Sequence, residues 1–193
     1  MSQRLTIHRL LRYNNHASSG MPCCSIMYDL RDVPHRAFLH PTAGVAYRPS
    51  YTSSSSSSSR PLTTKELYEP ATYPPVSRLS ITCGLFPILW PIEVQSRHHH
   101  GVTILDVLTA IYKSMHRPVR QSEWAQLSQR QQRRIAQVFH QRCAKAASPW
   151  VEKEKGVTRV DCLVLYTRFA GISLQDEWDG ACVLTLDRNV REQ

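Results

Sequence analysis

The chain has 193 residues, a formal net charge of +9, a pI near 9.5 and a 41% hydrophobic share. That length holds one domain plus tails, and residues 61–193 suffice to bury a core without a metal or disulfide staple. No apolar run approaches the ~18 residues a helical membrane span needs.

The charge is unevenly spread. Seven arginines against two aspartates leave +5 on residues 1–60, while 17 basic against 13 acidic residues leave +4 on residues 61–193. This makes nucleic acid or an anionic membrane surface a partner class to weigh. Cys23, Cys24, Cys83, Cys143, Cys162 and Cys182 contain no C-x-x-C pair and follow no signal peptide, so reduced intracellular thiols are expected.

Residues 1–25 are expected to be a disordered extension. Arg4, Arg9 and Arg12 stand among Leu5, Ile7, Leu10 and Leu11, and the first acid is Asp29. That is the composition of a mitochondrial transit peptide, although Leu5 falls on the basic side of the helix it would form. A plain extension, or a start at Met21 or Met27, accounts for the same residues. The compartment expected otherwise is cytoplasmic or nuclear. Residues 26–66 hold a short strand near Ile26 and a Pro/Ser-rich loop, with an unbroken serine run from Ser53 to Ser59. Such a run buries too little to offset its ordering entropy.

The core domain is expected over 67–188. Arg78 to Cys83 alternates in the manner of a half-buried strand, and Ile92 with Val94 fits an edge strand after Pro91. Thr103-Ile104-Leu105-Asp106 has the capping-box form with a short acid. It opens a helix whose stripe is Ile104, Leu105, Leu108, Ile111, Tyr112 and Met115. A short helical turn is predicted over Ser122–Leu127. Ser128-Gln129-Arg130-Gln131 opens a second long helix, with Ile135, Phe139, Cys143 and Ala146 on its buried face and Arg130, Arg133, Arg134 and Lys145 on the opposite one. Trp150 to Lys155 reads as a charged connection. After Gly156 the pattern is β-like through Val160 and Phe169, and Ala181 to Leu186 reads as a final strand after the Asp179-Gly180 turn dipeptide.

Few residues offer chemistry. His98, His99 and His100 have imidazoles that suit Zn²⁺ or Cu²⁺, but adjacent residues rarely converge on one ion, and Cys83 is the one local helper. No metal or other cofactor is expected. Arg159 and Asp161, two apart on a strand, share a face; such a pair fixes a loop or caps a helix more often than it reacts. Asp106 already has a capping role. Cys143, on a buried face, is a filler. Trp124, Phe139 and Trp150 read as packing residues. No nucleophile elbow, P-loop, dinucleotide fingerprint or zincin motif occurs, and no residue stands out as catalytic.

Glu69-Pro70-Ala71-Thr72-x-Pro74-Pro75, Leu79-x-Ile81, Leu85-x-Pro87 and Trp90 open an ordered set of motifs. It continues through Val102-Thr103, Asp106-Val107-Leu108, Ile111-Tyr112, Arg142, Gly156-Val157-x-Arg159-Val160-Asp161-x-Leu163 and Thr167-x-Phe169-x-Gly171. From about Ile26 to Leu186 the chain resembles a domain of unknown function found in mushroom-forming and related basidiomycete fungi. The resemblance implies a small α+β fold and no particular activity. The chain departs from it where Leu165 replaces a frequent Gly, which puts a tight turn there in question.

The expected architecture is α+β: a small, mainly antiparallel sheet packed against two main helices, after a disordered or loop-rich N-terminal arm. Three functions remain open. The first is a non-enzymatic intracellular module for a protein partner, presenting Phe86, Leu89 and Trp90 as an apolar patch. The second is a weakly specific nucleic-acid binder using Arg130, Arg133, Arg134 and Lys145. The third is an enzyme with a dispersed site. Oligomeric state is left open.

Overall fold

The computed structural model describes residues 4–14, 23–40, 59–97, 99–175 and 180–189. The strands are β1 (Thr6–Ile7), β2 (Ile26–Met27), β3 (Phe38–Leu39), β4 (Arg60–Pro61), β5 (Thr72–Tyr73), β6 (Arg78–Thr82), β7 (Ile92–Gln95), β8 (Arg168–Leu174) and β9 (Ala181–Asp187). The helices are α1 (Thr64–Leu67), α2 (Ile104–Met115), α3 (Gln121–Ala125), α4 (Gln129–Lys145) and α5 (Pro149–Glu154), with 3-10 turns at Pro34–Arg36 and Arg159–Leu163. The fold is α+β. The principal sheet has the order β7-β6-β9-β8, antiparallel except for the parallel β6–β9 pair. Two small antiparallel sheets, β1-β5 and β2-β3-β4, flank it.

Side-chain alternation explains the sheet. Leu79 and Ile81 on β6, Ile92 and Val94 on β7, and Cys182, Leu184 and Leu186 on β9 are all buried, while their neighbours are not. β7 is an edge, as the flanking prolines predict. β8 breaks the rule: Phe169, Ala170, Gly171 and Ile172 are buried in one run. A register shift between Phe169 and Gly171 explains part of this. The rest is covering, because two segments complete the open edge of β8. Phe169 N–H donates to Tyr28 O at 2.8 Å and Leu30 N–H to Thr167 O at 2.8 Å. Ile172 N–H donates to Leu11 O at 2.8 Å, and Tyr13 N–H to Ile172 O at 2.9 Å. An edge that would template aggregation is thereby paired.

That covering corrects the expectation for the N-terminal extension. Leu5, Ile7, Leu10 and Leu11 are buried in the core, and the segment around them is a strand and a turn rather than a helix. Arginine-rich composition obscured a run of four apolar anchors. The serine run lies outside the described residues apart from Ser59, as does Asp179 of the turn dipeptide.

α2 packs along β7. Its buried line is Ile104, Val107, Leu108, Ile111 and Met115, each fully shielded, with Leu105 and Tyr112 half-buried beside it. Burial of side chains of this size contributes roughly 1.5–3 kcal/mol each before ordering costs. α4 packs on α5 and on the Arg159–Leu163 turn, with Ile135 and Cys143 buried and Phe139 and Ala146 half-buried. Ala146 and the 3-10 turn stand where the sequence suggested more helix and β-structure.

The tight turn questioned at Leu165 is present. Tyr166 N–H donates to Leu163 O at 2.9 Å, and Val164 takes φ 56°, ψ −92°, a region glycine prefers and a β-branched residue resists. Val164→Gly is expected to raise stability by about 1 kcal/mol, the relieved strain outweighing the added chain entropy. Urea denaturation of the two proteins checks this.

Candidate functional site

A cleft of about 690 Å³ lies between the ends of α2, α4 and α5, the Arg159–Leu163 turn and the Arg31–Asp32 loop. Its floor is set by capping chemistry. Thr158 and Asp161 form a capping box: the Asp161 carboxylate accepts from Thr158 N–H at 2.9 Å and from Thr158 Oγ1 at 3.0 Å. The same T-x-x-D form recurs at Thr103 and Asp106, where Asp106 Oδ2 accepts from Thr103 N–H at 3.0 Å and Asp106 N–H donates to Thr103 Oγ1 at 3.2 Å. That first box was legible in the sequence; the second has the same signature and was missed, because β-like periodicity was read across it.

Arg142, on α4, reaches down to this turn. Its Nε donates to Asp161 Oδ1 at 2.8 Å, its Nη2 to Asp161 Oδ2 at 2.9 Å and to Gly156 O at 3.0 Å, and its Nη1 to Glu152 of α5. Lys155 also donates to Glu152. One guanidinium thus fastens three segments in the fork geometry that a lysine cannot reproduce. Its hydrogen bonds to Asp161, against the cost of burial, raise the Arg142 pKa. The hydrogen bond from Lys155, and the cations nearby, hold Glu152 below the usual carboxylate range despite burial.

Arg159 and Asp161 do not meet on one strand face, which corrects the sequence reading. They sit on a 3-10 turn and serve different partners. Arg159 Nη2 donates to Glu123 Oε1 at 3.1 Å and its guanidinium lies 4.7 Å over the Trp90 ring, whose Nε1 donates to the same oxygen at 2.8 Å. Arg159 Nε is buried without a hydrogen-bond partner among the described residues; the ring face beneath it offsets part of that cost. Burial pushes the Glu123 carboxyl up, but the Arg120 N–H, the Trp90 indole and Arg159 together bring it below its ordinary value. Sequence spacing held no signal for this triad, whose members lie 33 and 36 positions apart.

The other candidates are placed plainly. Arg130, Arg133 and Arg134 are exposed on α4, and Lys145 is exposed at the cleft rim. His99 and His100 lie in an exposed turn, and His98 is outside the described residues; no metal-binding cluster of three ligands occurs among the described residues. Burial pushes the Cys162 thiol up to about 12, with Asp161 and Glu123 adding to it. Phe86 and Trp90 are core residues at 8% and 3% exposure, so the apolar patch expected with Leu89 does not form. Trp150, expected to pack, is 71% exposed, with Val151 beside it at 48%. The charged connection expected there is helix α5, whose Glu152 lines the cleft while Trp150 and Val151 are exposed.

A model of a family of unknown function, DUF6699, matches residues 26–180. The chain belongs to that family. No curated protein and no solved structure matches the chain. The match to DUF6699 starts at Ile26, ahead of the first motif at Glu69, and takes in Arg142, Glu152, Thr158 and Asp161. The segment of residues 4–14 precedes it. No helix among the described residues is long and apolar enough to cross a membrane.

Arg142→Met is expected to destabilise the fold by about 3–5 kcal/mol, because Asp161 is left buried and unpaired; Arg142→Lys should recover less than half. Chemical denaturation measures both. Glu152 and Glu123 have folded-state pKa values below their unfolded ones. Their contribution is therefore complete above the unfolded value near pH 4.3 and is lost as pH falls through the lower folded values. The urea midpoint should drop between about pH 5 and pH 3, and Glu152→Gln should flatten that drop.

Proposed function

We propose that the chain is a non-enzymatic module that binds a protein partner through α5, with Trp150 as the anchor. The observation that carries this is the 71% exposure of the Trp150 side chain on a helix fastened by Arg142. Large aromatic side chains that stand in water on a fixed support supply most of the binding energy of many interfaces. Val151, also exposed, extends the apolar surface. The carboxylates of the cleft support binding over catalysis: Asp161 accepts four hydrogen bonds, and Glu152 is shared by Arg142 and Lys155. The ordered motif set supports a basidiomycete origin, and the free buried thiols support a cytoplasmic or nuclear setting; a mitochondrial one fits the arginine-rich start.

A second reading has its own observation. Arg130, Arg133 and Arg134 are exposed along α4 and make no ion pair among the described residues. Together with Lys145 they offer cations to the phosphates of a nucleic acid.

One pair of variants separates the readings. Trp150→Ala should keep the thermal midpoint within about 2 °C and lose one specific cross-linked protein when a photo-reactive group is placed at position 151 in cell extract. Loss of no product would refute the protein reading. Random-sequence RNA and DNA binding, with log K falling by about 0.7–0.9 per phosphate per log unit of salt and abolished by Arg130/Arg133/Arg134→Glu, would establish the nucleic-acid reading.

A further inference from the structure

We propose that the DUF6699 domain of this chain contains a groove for an extended peptide, and that residues 5–13 are a tethered ligand seated in it. This is a second binding surface, separate from α5.

The groove's walls come from inside the family match and its occupant from outside it. One wall is Glu69 to Tyr73, the other the outer edge of β8 at Gly171 and Ile172; both fall within residues 26–180. The occupant is held largely by main-chain hydrogen bonds. β1 pairs antiparallel with β5, Thr6 opposite Tyr73 and Ile7 opposite Thr72. His8 N–H donates to Ala71 O at 2.8 Å. Farther along, Leu11 and Tyr13 bracket Ile172 through the two backbone bonds on β8. Backbone pairing of this kind accepts many sequences and leaves selection to side-chain pockets.

Those pockets are defined. Leu5, Ile7, Leu10 and Leu11 are buried, while Thr6 and Arg9 between them, and Arg12 after them, face solvent. A polar contact fixes the middle of the segment. His8 Nε2 lies 3.1 Å from Glu69 Oε2, and Leu10 N–H donates to His8 Nδ1 at 3.3 Å. Nδ1 must therefore carry a lone pair and Nε2 the proton, a neutral imidazole donating to a carboxylate.

Gly171 shows that the floor is shaped to receive a backbone. A Cβ at this position would lie 2.7 Å from both Tyr13 Cα and Tyr13 N, and the residue has φ +120°. The three atoms that such a Cβ would meet first all belong to Arg12 and Tyr13 of the segment. The recognised chemistry is thus an extended segment with apolar residues at the first, third, sixth and seventh positions and a hydrogen-bond donor at the fourth for Glu69. A partner protein bearing such a segment is the ligand that would replace the resident one.

A tether keeps the resident segment at an effective concentration near millimolar, so its seat must be weakened before a free peptide can compete. The test uses the full chain with Ile7→Asp and Leu11→Asp, and a fluorescein-labelled synthetic peptide of residues 4–14. Anisotropy should show saturable binding by the altered chain, at least about tenfold tighter than by the unaltered chain. A labelled peptide carrying Leu11→Asp should not bind. Three results would overturn the proposal. The altered chain keeps its circular-dichroism spectrum and binds no peptide; it binds both peptides equally; or it unfolds, which would make the segment an indispensable part of the core rather than a replaceable ligand.

Discussion

The arrangement of the helical half depends on Asp161, a carboxylate only 1% exposed. Removing such a group from water costs several kcal/mol, and that cost is met here by the two ends of the Arg142 fork and by the Thr158 capping box. A hydrophobic pair of equal volume would stabilise the fold at least as well. What the ion pair supplies is geometry. A guanidinium that must satisfy Asp161, Glu152 and the Gly156 carbonyl at once leaves α4, α5 and the 3-10 turn a single relative placement. The short α5 has no buried residue of its own, so its orientation, and with it that of Trp150, follows from this polar fastening.

A comparable constraint governs the other side of the sheet. β8 is an edge strand with a bulge, and its free backbone groups are satisfied by segments distant in sequence: Tyr28 to Leu30 at one end, Leu11 to Tyr13 at the other. Asp29 adds side-chain ties, accepting from Thr167 Oγ1 at 3.2 Å and Asn189 Nδ2 at 2.6 Å. Long-range closure of this kind is carried by main-chain groups, which every residue except proline possesses. Sequence therefore gives little notice of it, and the N-terminal segment looked like an appendage.

Legibility divides along the same line. Features that depend on neighbours in sequence were readable: the alternation of Leu79 with Ile81, the Thr103–Asp106 and Ser128–Gln131 capping boxes, the exposure of Arg130, Arg133 and Arg134. Features that depend on partners tens of residues away were not. Trp90 was expected in a surface patch, yet it is buried against Arg159, whose own partner Glu123 comes from α3. Trp150 was expected to pack, yet it stands outside on α5. In both cases hydrophobicity was a poor guide because electrostatic partners decided the placement.

The residues on which the family resemblance rests have something in common once they are placed. Thr103 and Asp106 cap α2, Arg142 holds Asp161, Arg159 lies on Trp90, and Ala71 and Gly171 carry backbone contacts too close for larger groups or bonded through the main chain. Each fixes the frame, and none is an exposed reactive group. Trp150, Val151, Arg130, Arg133 and Arg134 belong to no motif and lie at the surface. A fold can be shared while function resides in groups mounted on it. By that logic the family match identifies a DUF6699 scaffold, and our proposals assign selectivity to what is mounted on it: the outward face of α5 or α4, and the extended segment seated beside β8.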